Sequence, residues 1–349
     1  MRKPRCKYGE SCYQTNPEHR NSFLHPGDEC WEASSSTTVK DQYMCQCGHK
    51  QKLHSSPLLA INMVTYPTAW ESDVTSGQEF SQCYQPKEFS LAHFQALLDN
   101  TYSDVTTRDR VKSCGTWEVP RNFTVVEVAR NENSRLWRKY KMKKHELLKE
   151  ARLFGGAESS DQAQPSTLPE FGDHGDIATS RVVAGLAEEF KKRSAELGRE
   201  VSEDDGIEPK INEWVLFHGT SASAARNICA RDFTMRLAGS ATGTLYGRGT
   251  YLAESITKAD EYAREEDGVF TVLLCRVLGG RVKYCDERTP DADGLMAECT
   301  EGVYDCILGD RFKCSGTYRE FVVFDTENVY PEYVIKYTRG EFFKSPSHP

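Results

Sequence analysis

The chain has 349 residues, 38% of them hydrophobic, enough to bury one large core with small satellites. Its formal net charge of −8 disfavours nucleic acid as a partner, since a nucleic-acid coat would be basic. No apolar run of roughly 18 residues occurs and Met1-Arg2-Lys3-Pro4-Arg5 carries no apolar leader, so an intracellular protein with no membrane partner is expected. Thirteen cysteines, with histidines interleaved among the first five, point to metal ligation and buried thiols rather than disulfides.

In chain order, the first cluster is Cys6, Cys12, His19 and His25. Two thiolates and two imidazoles form the ligand set of a closed tetrahedral zinc site. So short a segment cannot fold on apolar burial, so metal binding would itself be its folding energy. The spacing differs from that of a DNA-reading finger. The runs Cys6-Lys7-Tyr8-Gly9, Cys12-Tyr13-Gln14-Thr15-Asn16-Pro17-Glu18-His19 and His25-Pro26-Gly27-Asp28 resemble the poly(ADP-ribose)-binding zinc finger over residues 3–28. That resemblance implies that Tyr8 and Tyr13 hold the adenine of an ADP-ribose unit, by stacking worth about 1–3 kcal/mol per ring. Gln14 is a departure: the family usually carries Arg there, and its loss weakens contact with an adenine edge or phosphate.

Residues 29–64 read as a linker, rich in Ser and Thr from Ala33 to Thr38. Within it Cys45, Cys47, His49 and His54 offer the elements of a second small zinc site, with Gly48 allowing the tight turn; a polar loop with chance thiols is the alternative. From Pro67 the composition turns globular. Ser90 to Asn100 predicts an amphipathic helix through Leu91, Phe94, Leu97 and Leu98, capped by Ser90. Asn122 to Ala129 alternates as a strand. A helix is expected to open at Asn131, with Leu136, Trp137, Tyr140, Leu147 and Leu148 on its apolar side. Its other side, through Arg135, Arg138, Lys139, Lys141, Lys143 and Lys144, reads as a solvated charged face. Residues 155–180 are expected to form a mobile insertion. Arg181 to Gly198 is a further helix, either part of the core or a small lid.

Trp214-Val215-Leu216-Phe217 is a short apolar run that delivers His218 at the end of a buried strand. Tyr251 lies in Gly249-Thr250-Tyr251-Leu252-Ala253, and Glu320 opens the central-strand run Phe321-Val322-Val323-Phe324. Only folding can assemble a His, a Tyr and a Glu spread from 218 to 320 into one site. Such a set offers a hydrogen-bonding side chain, an aromatic face and a carboxylate able to stabilise developing positive charge. Gly247-Arg248-Gly249 lacks the third glycine, preceding strand and ribose-binding acid of a dinucleotide fingerprint, which excludes a Rossmann reading.

In order and spacing, these segments resemble the H-Y-E triad of the poly(ADP-ribose) polymerase family. With Phe94-Gln95-Ala96-Leu97-Leu98, Thr107-Arg108-Asp109-Arg110 and the Leu136-Trp137/Tyr140 element, the resemblance extends over a domain spanning 65–340. It implies an α+β, diphtheria-toxin-like ADP-ribosyltransferase fold with a small N-terminal zinc finger. The implied activity transfers ADP-ribose from NAD to protein acceptors and extends it to poly(ADP-ribose), which the finger would bind. His218, Tyr251 and Glu320 are the implied catalytic residues. His218 would bond the adenosine ribose, Gly219 would present its backbone to the nicotinamide carboxamide, and Tyr251 and Tyr262 would sandwich the ring. Thr220, Arg236 and Tyr246 complete the implied NAD site, Arg236 meeting the pyrophosphate. Ala259 departs from a Ser that commonly bonds the carboxamide, unless Thr257 substitutes. Two alternatives stay open: transfer of a single unit, and a protein that holds NAD or polymer without turnover. The resemblance also implies a nuclear location.

Overall fold

The computed structural model describes residues 64–87, 89–155, 177–196, 206–234 and 244–342. Both proposed zinc clusters, Tyr8, Tyr13, Arg236 and most of the expected insertion lie outside the described residues.

Among the described residues two sheets form the frame, and their faces sort the apolar residues. The larger runs β1 (Ser81–Tyr84), β2 (Phe123–Asn133), β9 (Val329–Arg339), β5 (Phe270–Leu278) and β3 (Glu213–Thr220), every neighbour antiparallel. The smaller runs β4 (Thr250–Leu252), β8 (Arg319–Val323), β7 (Cys306–Asp310) and β6 (Val282–Cys285), with only β6 and β7 parallel. Alternation along each strand sends successive side chains to opposite faces. Trp214, Leu216, Leu273, Cys275 and Val277 therefore meet Leu252, Leu308, Phe321 and Val323 in one buried layer. Val215, Phe217, Val272, Leu274 and Ile335 point the other way, onto Phe94, Leu97 and Leu98 of α1 (Leu91–Asn100). β5 is buried at every residue, the condition that an unalternating apolar run suits. The fold is α+β.

Capping chemistry sets where the helices start. In α1 the Ser90 N–H donates to His93 Nδ1 at 3.0 Å. The helix expected from Asn131 instead begins at Ser134, as α3 (Ser134–Gly155), after α2 (Arg108–Cys114). Asn131, Glu132 and Asn133 extend β2, where Asn133 pairs with Ser81. Asn133 Oδ1 then accepts the N–H groups of Arg135 and Leu136 at 3.1 Å each, so the last residue of the strand caps the helix. Leu136, Trp137, Tyr140 and Leu147 are buried against Leu278 and Tyr330, and Trp70 packs 5.6 Å from Trp137, centroid to centroid.

The basic side of α3 is not wholly a solvated face. Lys144 is buried and pairs with Glu213 at 2.7 Å, and the buried Lys143 lies 3.4 Å from Glu146 and 3.8 Å from Asp305. The start of β3 carries an acid into this interior, and buried acids require partners. The next helix, α4 (Ala178–Glu196), is tied to the core at its start. The Thr179 hydroxyl donates to the Val215 carbonyl, Ala178 N–H donates to Glu254 at 2.7 Å, and Val182 and Val183 pack on the α1 layer. That end is core rather than lid. The eight described cysteines are all free thiols. Among the described residues no helix is long and apolar enough to cross a membrane.

Candidate active site

The two sheets are joined where β3 meets β4. Phe217 N–H donates to the Ala253 carbonyl at 2.7 Å, and Ala253 N–H returns to the Phe217 carbonyl at 2.9 Å. This bridge sets His218 beside Tyr251: its Nδ1 lies 2.9 Å from the Tyr251 carbonyl oxygen, which fixes the N–H tautomer at Nδ1 and leaves Nε2 as an acceptor. Phe233 closes on the imidazole edge-on at 5.2 Å between centroids. Burial pushes the imidazole below its ordinary value of 6.5, against the opposing pull of the Tyr251 carbonyl.

Gly219 comes next on β3 and faces α6 (Ile256–Asp260). A Cβ there would sit 1.8 Å from the Ala259 carbonyl oxygen and 3.2 Å from Tyr262 Cβ. No side chain fits, so the backbone of this strand end approaches Tyr262 directly. Thr220 ends the strand, its carbonyl accepting from Arg264 N–H at 3.4 Å.

Register places Tyr251 and Glu320 on one face of the small sheet. Tyr251 pairs with Val322, two residues beyond Glu320, and Glu320 pairs with Gly309 across β7. Tyr251 keeps its ring partly exposed while its hydroxyl accepts from Tyr246 N–H and donates to the Gly247 carbonyl, both at 2.9 Å. Gly247 makes that turn with φ of 93°. Tyr246 itself is fully buried with Cys285, Leu295, Ile307 and Val322, under α7 (Ala292–Thr300), after α5 (Ala222–Arg231). Its ring fills the space that Gly309 leaves opposite Glu320. Tyr246 is thus packed on the sheet face that carries Glu320 instead of presenting a surface.

Glu320 is buried but paired. Lys258 Nζ lies 3.0 Å from Glu320 Oε1, 3.0 Å from Glu261 Oε2 and 3.0 Å from Asp109 Oδ2. A buried ammonium among three carboxylates stays charged: burial opposes ionisation, but Glu320, the nearby Tyr262, Glu261 and Asp109 raise its pKa well above the ordinary value. The Tyr262 ring lies 5.1 Å from the same ammonium, and its hydroxyl donates to Asp109 Oδ2 at 2.8 Å. Next to them in α6, Asp260 accepts from the buried Arg110 at 3.0 Å and the buried Tyr337 hydroxyl at 2.6 Å, and from the partly buried Arg339 at 2.9 Å. Such a cluster is costly to break, about 3–5 kcal/mol for one missing partner, so α6 is a firm base for Lys258 and Tyr262. Ala259 and Thr257 are buried, and Thr257 Oγ1 accepts from Ser103 N–H at 3.0 Å, turned toward the segment before α2. Thr257 therefore does not take the place of the missing Ser.

His218, Gly219, Tyr251, Tyr262 and Glu320 are thus linked through contacts among β3, β4, α6 and β8, Tyr246 is buried on the Glu320 face, and Arg236 falls outside the described residues. The Lys258–Glu261 pair is local, three residues apart, whereas Asp109 and Glu320 reach Lys258 from other elements, which short-range periodicity does not show.

Residues 181–339 match the model of the poly(ADP-ribose) polymerase catalytic domain. The chain carries a poly(ADP-ribose) polymerase catalytic domain. Its fold is the ADP-ribosyltransferase fold. Residues 3–28 match the PBZ domain. Among curated relatives, protein mono-ADP-ribosyltransferase PARP12 of Homo sapiens is 34% identical over 135 residues, 37% of this chain and 17% of that protein. Protein mono-ADP-ribosyltransferase PARP11 of Mus musculus is 30% identical over 154 residues, 37% of this chain and 43% of that protein. Protein mono-ADP-ribosyltransferase PARP10 of Mus musculus is 42% identical over 71 residues, 20% of this chain and 7% of that protein. The chain spans less than half the length of each.

The environment of His218 gives the catalytic domain a signed pH response. The folded pKa lies below the ordinary 6.5, so on acidification an unfolded chain takes a proton that the folded one refuses. The stability contribution of His218 is whole above the unfolded value and is lost as pH falls through the folded one. Between pH 7 and about 5 the melting temperature should fall further for the unaltered protein than for His218→Gln, which has no titrating ring. Parallel falls would show that His218 does not titrate in this window.

Proposed function

We propose that this chain transfers ADP-ribose from NAD to protein acceptors. The observation that carries the reading is the charge arrangement at Glu320, a buried carboxylate held 3.0 Å from Lys258 on the face that also bears Tyr251. As the bond between ribose C1′ and nicotinamide lengthens, its electron pair leaves with nicotinamide and the ribose gains oxocarbenium character. Glu320 stabilises that charge from a fixed position, which is where preorganised electrostatics act most strongly. The Gly219 backbone receives the carboxamide, Tyr251 and Tyr262 flank the ring, and neutral His218 offers Nε2 to a ribose hydroxyl. An acceptor nucleophile then bonds to C1′ and gives up its proton.

Single-unit transfer is the product we assign, because the named relatives are all mono-ADP-ribosyltransferases. Glu320 favours a second reading, chain extension, since a carboxylate there can orient the hydroxyl of an ADP-ribose already attached. Incubating the full chain with labelled NAD separates these outcomes. One added unit supports the assignment, a ladder supports extension, and no label on protein overturns transfer.

The finger belongs to the same proposal. The donor set of Cys6, Cys12, His19 and His25, matched within the PBZ domain, fits a closed tetrahedral zinc site. Tyr8 and Tyr13 would then bind ADP-ribose polymer, bringing the catalytic domain to sites already modified.

A further inference from the structure

Asp109 precedes the residues matched to the catalytic domain, yet it touches the site from outside that span. It stands in the first turn of α2, whose start is fixed by the Thr107 side chain accepting from Asp109 N–H at 3.1 Å. The residues around it clamp α2 along α6. Thr107 Oγ1 donates to both oxygens of Glu261, at 2.9 and 2.8 Å, and Arg110 Nη2 donates to the Thr257 carbonyl at 2.8 Å. Those contacts are scaffolding. Asp109 differs because a single oxygen, Oδ2, accepts from the Tyr262 hydroxyl at 2.8 Å and from Lys258 Nζ at 3.0 Å.

Those two partners lead to opposite ends of the bond that breaks. The Cβ end of Tyr262 is held against Gly219, so its hydroxyl bond is the second fixed point of a ring that could otherwise pivot. Lys258 reaches Glu320, and each carboxylate around it takes a share of its charge. Burial works against ionisation of the Asp109 carboxyl, but the Lys258 ammonium, the Tyr262 hydroxyl and Lys112 together outweigh it and bring its pKa below the ordinary value.

We infer that Asp109 is a positioning residue of the NAD site, tying the Tyr262 ring and the Lys258 charge together through one carboxylate oxygen. The inference rests on the transfer reading above. With Asp109 absent, the Tyr262 hydroxyl loses its shorter bond and is left with the 3.3 Å contact to Lys258 Nζ, and Lys258 shifts onto Glu320, neutralising the carboxylate where positive charge must develop.

The test uses the full chain and benzamide, a nicotinamide-like ring with its carboxamide and no ribose. Asp109→Ala should weaken benzamide binding and raise the NAD KM by about tenfold, through loss of that shorter bond. Asp109→Asn keeps an acceptor for the Tyr262 hydroxyl but not the charge, so benzamide binding should stay within about threefold while kcat falls about tenfold. Unchanged benzamide affinity in Asp109→Ala, at an unchanged melting temperature, would overturn the inference. Should the alanine variant fail to fold, the asparagine variant decides: an unaltered kcat overturns the inference. Failure of the unaltered protein to bind benzamide would overturn the NAD-site reading and this inference with it, whereas normal binding by every variant overturns the inference alone.

Discussion

Glu320→Gln should lower ADP-ribose transfer by about 100-fold or more, the scale on which removing one preorganised charge-stabilising group acts. Glutamine keeps the size and one hydrogen-bonding oxygen but not the charge that faces the oxocarbenium ion. Folding should be little changed, because Lys258 retains Glu261 and Asp109, each at 3.0 Å. Initial rates with labelled NAD, measured beside melting temperatures, separate the two effects. The KM for NAD should move little, since the glutamate acts on the charge that develops rather than on the bound ground state. His218→Ala should do the reverse and raise KM, by removing the group that would hold a ribose hydroxyl. A glutamine variant whose rate stayed within about threefold of the unaltered protein would make Glu320 a structural carboxylate.

A chain beginning at residue 181, where the catalytic-domain match begins, should not fold, whereas one beginning at residue 64 should. Beginning at 181 removes β1, β2, α1, α2 and α3. β2 lies between β1 and β9 in the large sheet, so its loss strips the pairing from Phe123–Arg339 to Arg130–Tyr333. It also removes Phe123, Val125, Val128, Leu136, Trp137, Tyr140 and Leu147 from the interior. At about 1.5–3 kcal/mol for each buried side chain, that loss is on the order of 10–20 kcal/mol, above the roughly 5–15 kcal/mol by which domains are stable. Arg110 would be lost from its pair with Asp260 as well, leaving a buried carboxylate short of a partner at the base of the site. Circular dichroism on heating should show a cooperative transition for the longer chain and none for the shorter. A cooperative melt of the shorter chain would show that β2 and α3 are accessory, and that the domain is smaller than 65–340.

Much of the site was legible because strands announce themselves by composition. Trp214 to Phe217 had to be buried, so the polar residue that followed had to lie at a sheet end. The run Phe321 to Phe324 placed Glu320 at the start of a central strand in the same way. The α1 helix and its Ser90 start were equally plain, since helical periodicity and capping are local properties. Boundaries were less so. Nothing local distinguishes Asn131-Glu132-Asn133 as strand, because these polar residues are held there by Ser81, Gln82 and Cys83 of a distant strand.

Sequence alone supplied the apolar runs that deliver His218 and Glu320, because short-range periodicity is written residue by residue, while the triad and the candidate zinc donors were read from motifs that resemble known families. Tertiary structure decided what surrounds the charges. Lys258 had no assigned role until Asp109 and Glu320 met it from α2 and β8, beside its near neighbour Glu261. Lys143 and Lys144 looked like surface cations until Asp305 and Glu213 met them inside. Tyr246 looked like a site aromatic until the space at Gly309 took its ring. In each case burial and the positions of distant charges set the role, and neither exists until the strands have paired.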